Sequence, residues 1–204
     1  MTSSPKAEPR LRETPDVRRR QLIDAAMRSI AKYGYAGTTI ETICDEAKVS
    51  RGLINHHFGS KEELIRQSYK ALRDEWMAQT HGSLLANYDE PEDKLKAMIR
   101  VSFGPTMFKT EYLGIWAGFW SAIGKSPALR KLNRELFEKD REAYQEIFEA
   151  IATKRGKQVD SRRAALSVIA LIDGFWLEWC LDPKGFTAEE AEDACLSFVA
   201  QTFA

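Results

Sequence analysis

Four residues within six positions, Arg51, Gly52, Asn55 and His56, have the types and spacing to read DNA. Arginine can donate two parallel hydrogen bonds to guanine O6 and N7, and asparagine pairs in the same bidentate way with adenine N6 and N7. Gly52 lets the backbone come close, and His56 offers a donor to a phosphate. A second set is aromatic and acidic. Trp116, Phe119 and Trp120 fall in one segment, and Asp173, Trp176 and Trp179 in another. Trp116 and Trp120 are i, i+4, and Asp173 and Trp176 are i, i+3, so each pair shares a helical face. Aromatic faces around a buried carboxylate would hold an organic cation by cation–π and charge attraction. The same spacing also describes plain core and a dimer interface, and both readings stand.

The first set needs a short helix braced by another. Residues 38–58 read as such a pair around a tight turn. Thr38, with Glu41 three residues on, predicts a capping box that opens the first helix. Ile40, Ile43, Cys44 and Ala47 make one apolar face. Ala47-Lys48-Val49 is the turn. Ser50 caps a second helix whose Leu53, Ile54 and Phe58 pack back on the first. Arg51, Gly52, Asn55 and His56 stay outside, which suits insertion into a major groove. Ahead of this pair, residues 16–33 predict a helix with the stripe Leu22, Ile23, Ala26, Met27 and Ile30. Arg18, Arg19 and Arg20 crowd its start, where the helix dipole disfavours cations. They either face a polyanion or solvate the first turn.

These pieces follow one another in a recognisable order: RRRQLIDAA, a Gly34-Tyr35-x-Gly37-Thr38-Thr39 segment, the two-helix stretch, then His57-Phe58-x-Ser60-Lys61-x-x-Leu64. The series over residues 17–66 resembles the DNA-binding domain of the TetR family of transcriptional repressors. The resemblance implies phosphate contacts from Thr38 or Thr39 at a helix N-terminus and from Lys61 in the first turn of the next helix. Arg18, Lys48 and Ser50 complete the expected DNA-facing set. Two positions depart from the family pattern. Lys48 stands where Gly is usual, and a left-handed non-Gly residue costs on the order of 1 kcal/mol. Asn55 stands where many members have a phosphate-binding Tyr, so it either reads a base edge or makes no such contact. His57 is expected to pack inward.

The rest of the chain predicts helices with no sustained strand alternation. Ser60 and Glu63 propose a second capping box for a long helix to about residue 86, the natural lever between two domains. Further helices are expected at 91–103, 105–110, 111–123, 127–153, 161–181 and 187–203, the last opened by Thr187 with Glu190. The segment IDGFWLEWCLDP (172–183), with Trp116-x-x-Phe119-Trp120, looks like the BetI-like branch of the family. That likeness implies an effector such as choline or another organic cation, held by Trp116, Phe119, Trp120, Asp173, Trp176 and Trp179. A neutral apolar effector is the alternative.

Composition bounds these readings. The 204 residues carry no net charge, yet residues 1–70 hold 13 Lys and Arg against 9 Asp and Glu, and residues 71–204 hold 17 against 21. The positive half contains the DNA-reading stretch, as phosphate attraction requires. Three cysteines, Cys44, Cys180 and Cys195, are too scattered for a disulfide framework or a zinc site. No nucleophile–base pair, phosphate loop or metal spacing points to an enzyme, and no cofactor is implied. With no signal peptide, and with the longest uncharged apolar stretch (112–124) too short for a bilayer, a cytoplasmic location is expected. The expected architecture is all-α with about 9–10 helices. Residues 1–15 form a disordered basic arm, either a solvated tail or an extra DNA contact. Residues 16–66 form the helix-turn-helix domain, and 67–204 the effector-binding and dimerisation domain. The expected function is a ligand-responsive repressor that binds a palindromic operator as a homodimer. A helical protein-binding adaptor is the weaker alternative, disfavoured by Arg18–Arg20 and Arg51.

Overall fold

The computed structural model describes residues 14–204. Most of the 1–15 arm, including Lys6, Arg10 and Arg12, lies outside the described residues. The described residues form ten α-helices and no strand: α1 (Pro15–Gly37), α2 (Ile40–Ala47), α3 (Arg51–Phe58), α4 (Lys61–Thr80), α5 (Gly82–Ala86), α6 (Pro91–Ser102), α7 (Thr110–Lys125), α8 (Pro127–Arg155), α9 (Ser161–Leu181) and α10 (Ala188–Thr202). The all-α expectation holds.

The boundaries follow local chemistry. Pro15, Pro91 and Pro127 each sit in a first turn, where the missing N–H has no intrahelical partner to lose. Gly34 takes a positive φ of 66° inside α1 and turns the chain there, a conformation a side chain would strain. The helix proper therefore ends near residue 33. Thr187 and Glu190 form the expected reciprocal cap of α10.

Several expectations fail locally. The box that opens α2 is Thr39 with Thr42, not Thr38 with Glu41: Thr42 N donates to Thr39 Oγ1 at 3.2 Å and Thr39 N to Thr42 Oγ1 at 2.9 Å. Thr38 instead closes α1, its hydroxyl donating to Gly34 O at 2.7 Å. The box at Ser60 is one-sided. Glu63 N donates to Ser60 Oγ, but the Glu63 carboxylate turns to Arg66 and Gln67. The third is helix length. The lever helix stops at Thr80, whose hydroxyl bonds back to Trp76 O, and His81-Gly82 re-aims the chain into α5. Residues 105–110 make a turn closed on Gly104 O, not a helix: Met107 N and Phe108 N both donate to that carbonyl, and Lys109 is already extended as the cap of α7.

One hydrophobic core runs from Leu22 to Phe203. The predicted stripe of α1 is all buried, and α4 buries residues along its whole length, from Leu64 to Thr80. Cys44 is buried, and that burial pushes its thiol up, away from reactivity. By length and composition α9 could cross a membrane. It packs one face into this core with α7, α8 and α10, and leaves Leu166, Ala170, Gly174, Leu177 and Leu181 as an exposed apolar stripe on another.

Candidate DNA-reading surface and effector cavity

α2 and α3 meet around Lys48, the one non-glycine residue with positive φ (55°) among those described. Val49 N closes the turn on Cys44 O at 3.1 Å. The pair is tied to α1 by polar contacts: Ser29 to Thr42 between hydroxyls at 2.9 Å, and Arg28 and Lys32 to Glu46. Arg19 donates to the His57 carbonyl at 2.7 Å and lies 4.5 Å over the Phe58 ring, so it caps the C-terminal end of α3. Arg20 pairs with Asp24 and reaches Glu75 of α4. Two of the three arginines that could have faced a polyanion are thus part of the scaffold. Arg18 is half-buried on the first turns of α1.

Ile54 and Phe58 anchor α3, and Arg51, Gly52, Asn55 and His56 stand exposed on its outer side, as their spacing requires. Ser50 makes no capping bond with its side chain, so its hydroxyl is available outward. Arg51 is held 2.7 Å from Glu41, and both are solvent-exposed. An exposed pair of that kind is worth about 1 kcal/mol or less and opens readily toward a base. Thr38 is the exception among the proposed contacts. It is only 1% exposed, with N–H and hydroxyl both spent on α1 carbonyls, so the outward threonine is Thr39. Lys61 spends one donor on Thr38 O at 3.1 Å and lies near the Tyr35 ring.

The second site sits between α4, α7, α8 and α9. Three indoles, Trp76, Trp116 and Trp176, meet edge to face with centroids 5.1–6.3 Å apart. Trp76 Nε1 donates to Asp140 Oδ1 at 3.3 Å, and Trp176 Nε1 to Ser102 O at 3.1 Å. Asp140 also faces Arg73 at 3.4 Å and His81 at 3.6 Å. Burial pushes His81 down, so it stays neutral near pH 7. Burial pushes Asp173 up to about 7, with Arg73 opposing that rise and Asp140 adding to it. The inner cavity bounded by these groups has a free volume of about 10 Å³, room for about one water. A separate outer cleft of about 220 Å³ shares Arg73, Trp116, Phe137 and Asp173 with it and is lined also by Tyr69, Trp120, Ile123 and Asn133.

A model of bacterial regulatory proteins of the tetR family matches residues 22–67, and a model of the C-terminal region of BetI-type transcriptional repressors matches residues 91–204. The chain belongs to the TetR family. Its second half is of the BetI type. It is 34% identical over 167 residues to the HTH-type transcriptional regulator BetI of Burkholderia lata, covering 81% of this chain and 84% of that one. A solved structure of a transcriptional regulator from Pseudomonas aeruginosa PAO1 superposes with a TM-score of 0.86 at 30% identity, covering 94% and 93% of the two chains. A regulator from Saccharomonospora viridis in complex with choline shares the fold, with a TM-score of 0.79 over 91% and 96% of the chains at 19% identity. The chain is therefore a DNA-binding transcriptional regulator and not an enzyme.

Within this TetR-family frame, four of the six residues proposed for the effector come together: Trp116, Trp120, Asp173 and Trp176. Phe119 and Trp179 do not. Each lies three residues past its neighbouring tryptophan, on the same broad helical face, but its ring is taken up by an aromatic partner of another segment. Phe119 packs fully buried on Tyr69, and the Trp179 ring lies tilted against Phe108 with centroids 4.9 Å apart. Trp179 lines a different cavity of about 380 Å³, bounded also by Ile30, Gly114, Gly118 and Cys180. The sequence reading missed Arg73 and Trp76 of α4 and Asp140 and Tyr144 of α8. The spacing of Arg73, Trp76 and Thr80 was the available signal, since an arginine on the buried face of a helix is rarely idle.

Proposed function

We propose that this chain is a ligand-responsive repressor. As a homodimer it binds a roughly palindromic operator, one α3 per half-site, and a small organic cation such as choline releases it. Residues 16–66 do the reading, and residues 67–204 hold the effector and the second subunit. The observation that carries the effector class is the cluster of Trp76, Trp116 and Trp176 closed around two carboxylates, Asp140 and Asp173. Indole faces attract a cation, and the carboxylates balance its charge without demanding N–H donors from it. The choline complex of the Saccharomonospora regulator, which shares this fold, supports the same class.

The exposed stripe of α9, Leu166 to Leu181, supports pairing with a second copy, since a contiguous apolar face of that length calls for burial. Action in the cytoplasm, where the operator lies, follows from this role. A second reading, a neutral apolar effector, is favoured by the largely apolar cavity beside Trp179 and Gly118.

The test is a DNA competition. Operator DNA selected from a random pool by the purified full chain serves as probe in fluorescence anisotropy. Choline lowers operator affinity if the cation reading holds. Release by fatty acyl or neutral aromatic compounds alone replaces it with the second reading.

A further inference from the structure

Arg73 is a buried cation inside the cage that is proposed to hold a cation. Its side chain is 7% exposed. Its guanidinium carbon lies 5.6 Å from the centre of the Trp116 ring, within cation–π range. One amino group faces Asp140 at 3.4 Å and donates to Leu136 O at 3.3 Å. Its Nε has no hydrogen-bond partner. The same side chain lines both the inner cavity and the outer cleft, as do Trp116, Phe137 and Asp173.

Three consequences follow. The inner cavity, about 10 Å³, cannot admit an organic cation as it stands, while the outer cleft of about 220 Å³ can. A ligand that reaches the indoles must take space now held by protein. Arg73 is the occupant whose interactions the ligand could reproduce, with a positive charge on the Trp116 face and opposite a carboxylate. It is also imperfectly satisfied. A buried guanidinium with an unpaired Nε and a long ion pair is held less firmly than a fully bonded one. Arg73 sits on α4, twelve residues from Lys61, where that helix joins the DNA-reading unit.

We propose that Arg73 is a tethered internal competitor for the effector. In the operator-binding state its guanidinium holds the seat on Trp116 and Asp140. The cationic effector takes that seat, Arg73 swings toward the outer cleft, and α4 moves with it. This rests on the cation reading above. Arg73 thereby sets effector affinity and couples the cage to DNA binding, and a quaternary ammonium can replace its charge opposite Asp140 and its place on the Trp116 face.

The test is calorimetric titration of choline chloride into the full chain and into Arg73→Met, paired with operator titrations with and without choline. Removing the competitor should tighten choline binding about tenfold, the equivalent of one cation–π contact. Choline should then change operator affinity far less than in the unmodified protein. A purely structural Arg73 gives the opposite, weaker choline binding. Because Arg73→Met leaves the buried Asp140 without its guanidinium partner and can fail to fold, Arg73→Lys is measured beside it. Lysine keeps the charge but loses the planar stack, so it should tighten choline binding by a smaller factor. Choline binding to the unmodified chain with no tightening in either variant overturns the competitor alone. Failure of choline-like cations to bind the unmodified chain at all, where neutral ligands do, overturns the cation reading and the competitor together.

Discussion

Gly118 of α7 lies directly against Ile30 of α1: a Cβ at residue 118 would sit 3.1 Å from the Ile30 carbonyl oxygen and closer still to its Cγ2. Gly114, one turn earlier, faces Ala31 of the same helix. α7 thus presents two glycines to the DNA-reading unit and, on another face, Trp116 to the cage. The cage helices therefore touch α1 in two places, through α4 and through this close contact.

Gly118→Ala should force α1 away from α7, because the obstructing atoms include backbone. The expected result is a folded protein whose operator affinity falls by about tenfold, on the order of 1–2 kcal/mol of overpacking. Choline affinity should stay within about threefold. Operator anisotropy and calorimetry read the two effects separately.

Arg51→Ala should weaken operator binding and relax the preference at one base pair, by about 1–3 kcal/mol if Arg51 reads a guanine. Equal loss on operator and random DNA would place Arg51 on phosphate instead. Glu41→Gln, which releases Arg51 from its 2.7 Å ion pair, should tighten DNA binding modestly.

Effector binding should depend on pH through Asp173. Its carboxyl titrates near 7, above the roughly 4 of an unfolded aspartate. A cation favours the ionised form, so choline affinity should be about tenfold weaker at pH 6 than at pH 8. The same shift acts on folding in the opposite sense. Its contribution is fully present below pH 4, and it is lost as pH rises through 7. Burial also pushes the neighbouring His81 down from its ordinary value. Asp173→Asn should flatten the calorimetric pH profile.

Leu177→Glu places a charge in the middle of the exposed α9 stripe, between Gly174 and Leu181, which is 72% exposed. It should give a monomer in size-exclusion chromatography with light scattering, and operator affinity should fall with it. A dimer that survives would move the interface elsewhere.

The exposed face of α3 was legible because its determinants are local. The Lys48 turn, the Ser50 start of α3 and the four outward residues all follow from spacing within twenty positions. The slip from Thr38 to Thr39 has an equally local cause: two adjacent threonines both fit a cap, and Gly34 O claims the first. The cage was half legible. Aromatic density marked α7 and α9, but Trp76 and Asp140 are 64 residues apart and meet through packing alone. Nothing in either helix's own pattern announces that pairing. Phe119 and Trp179 were misplaced because aromatic content says which helix is special and not which ring is taken up by packing, and here Tyr69 and Phe108 take up both.

The most direct test of a cation-responsive regulator is a thermal shift of the full chain against choline, betaine and polyamines, with neutral aromatic and fatty acyl compounds beside them. Choline-like cations should raise the melting temperature saturably, by about 5–10 °C at a hundredfold excess over Kd. A rise with neutral compounds and none with cations would contradict the account and leave Trp76, Trp116 and Trp176 as packed core.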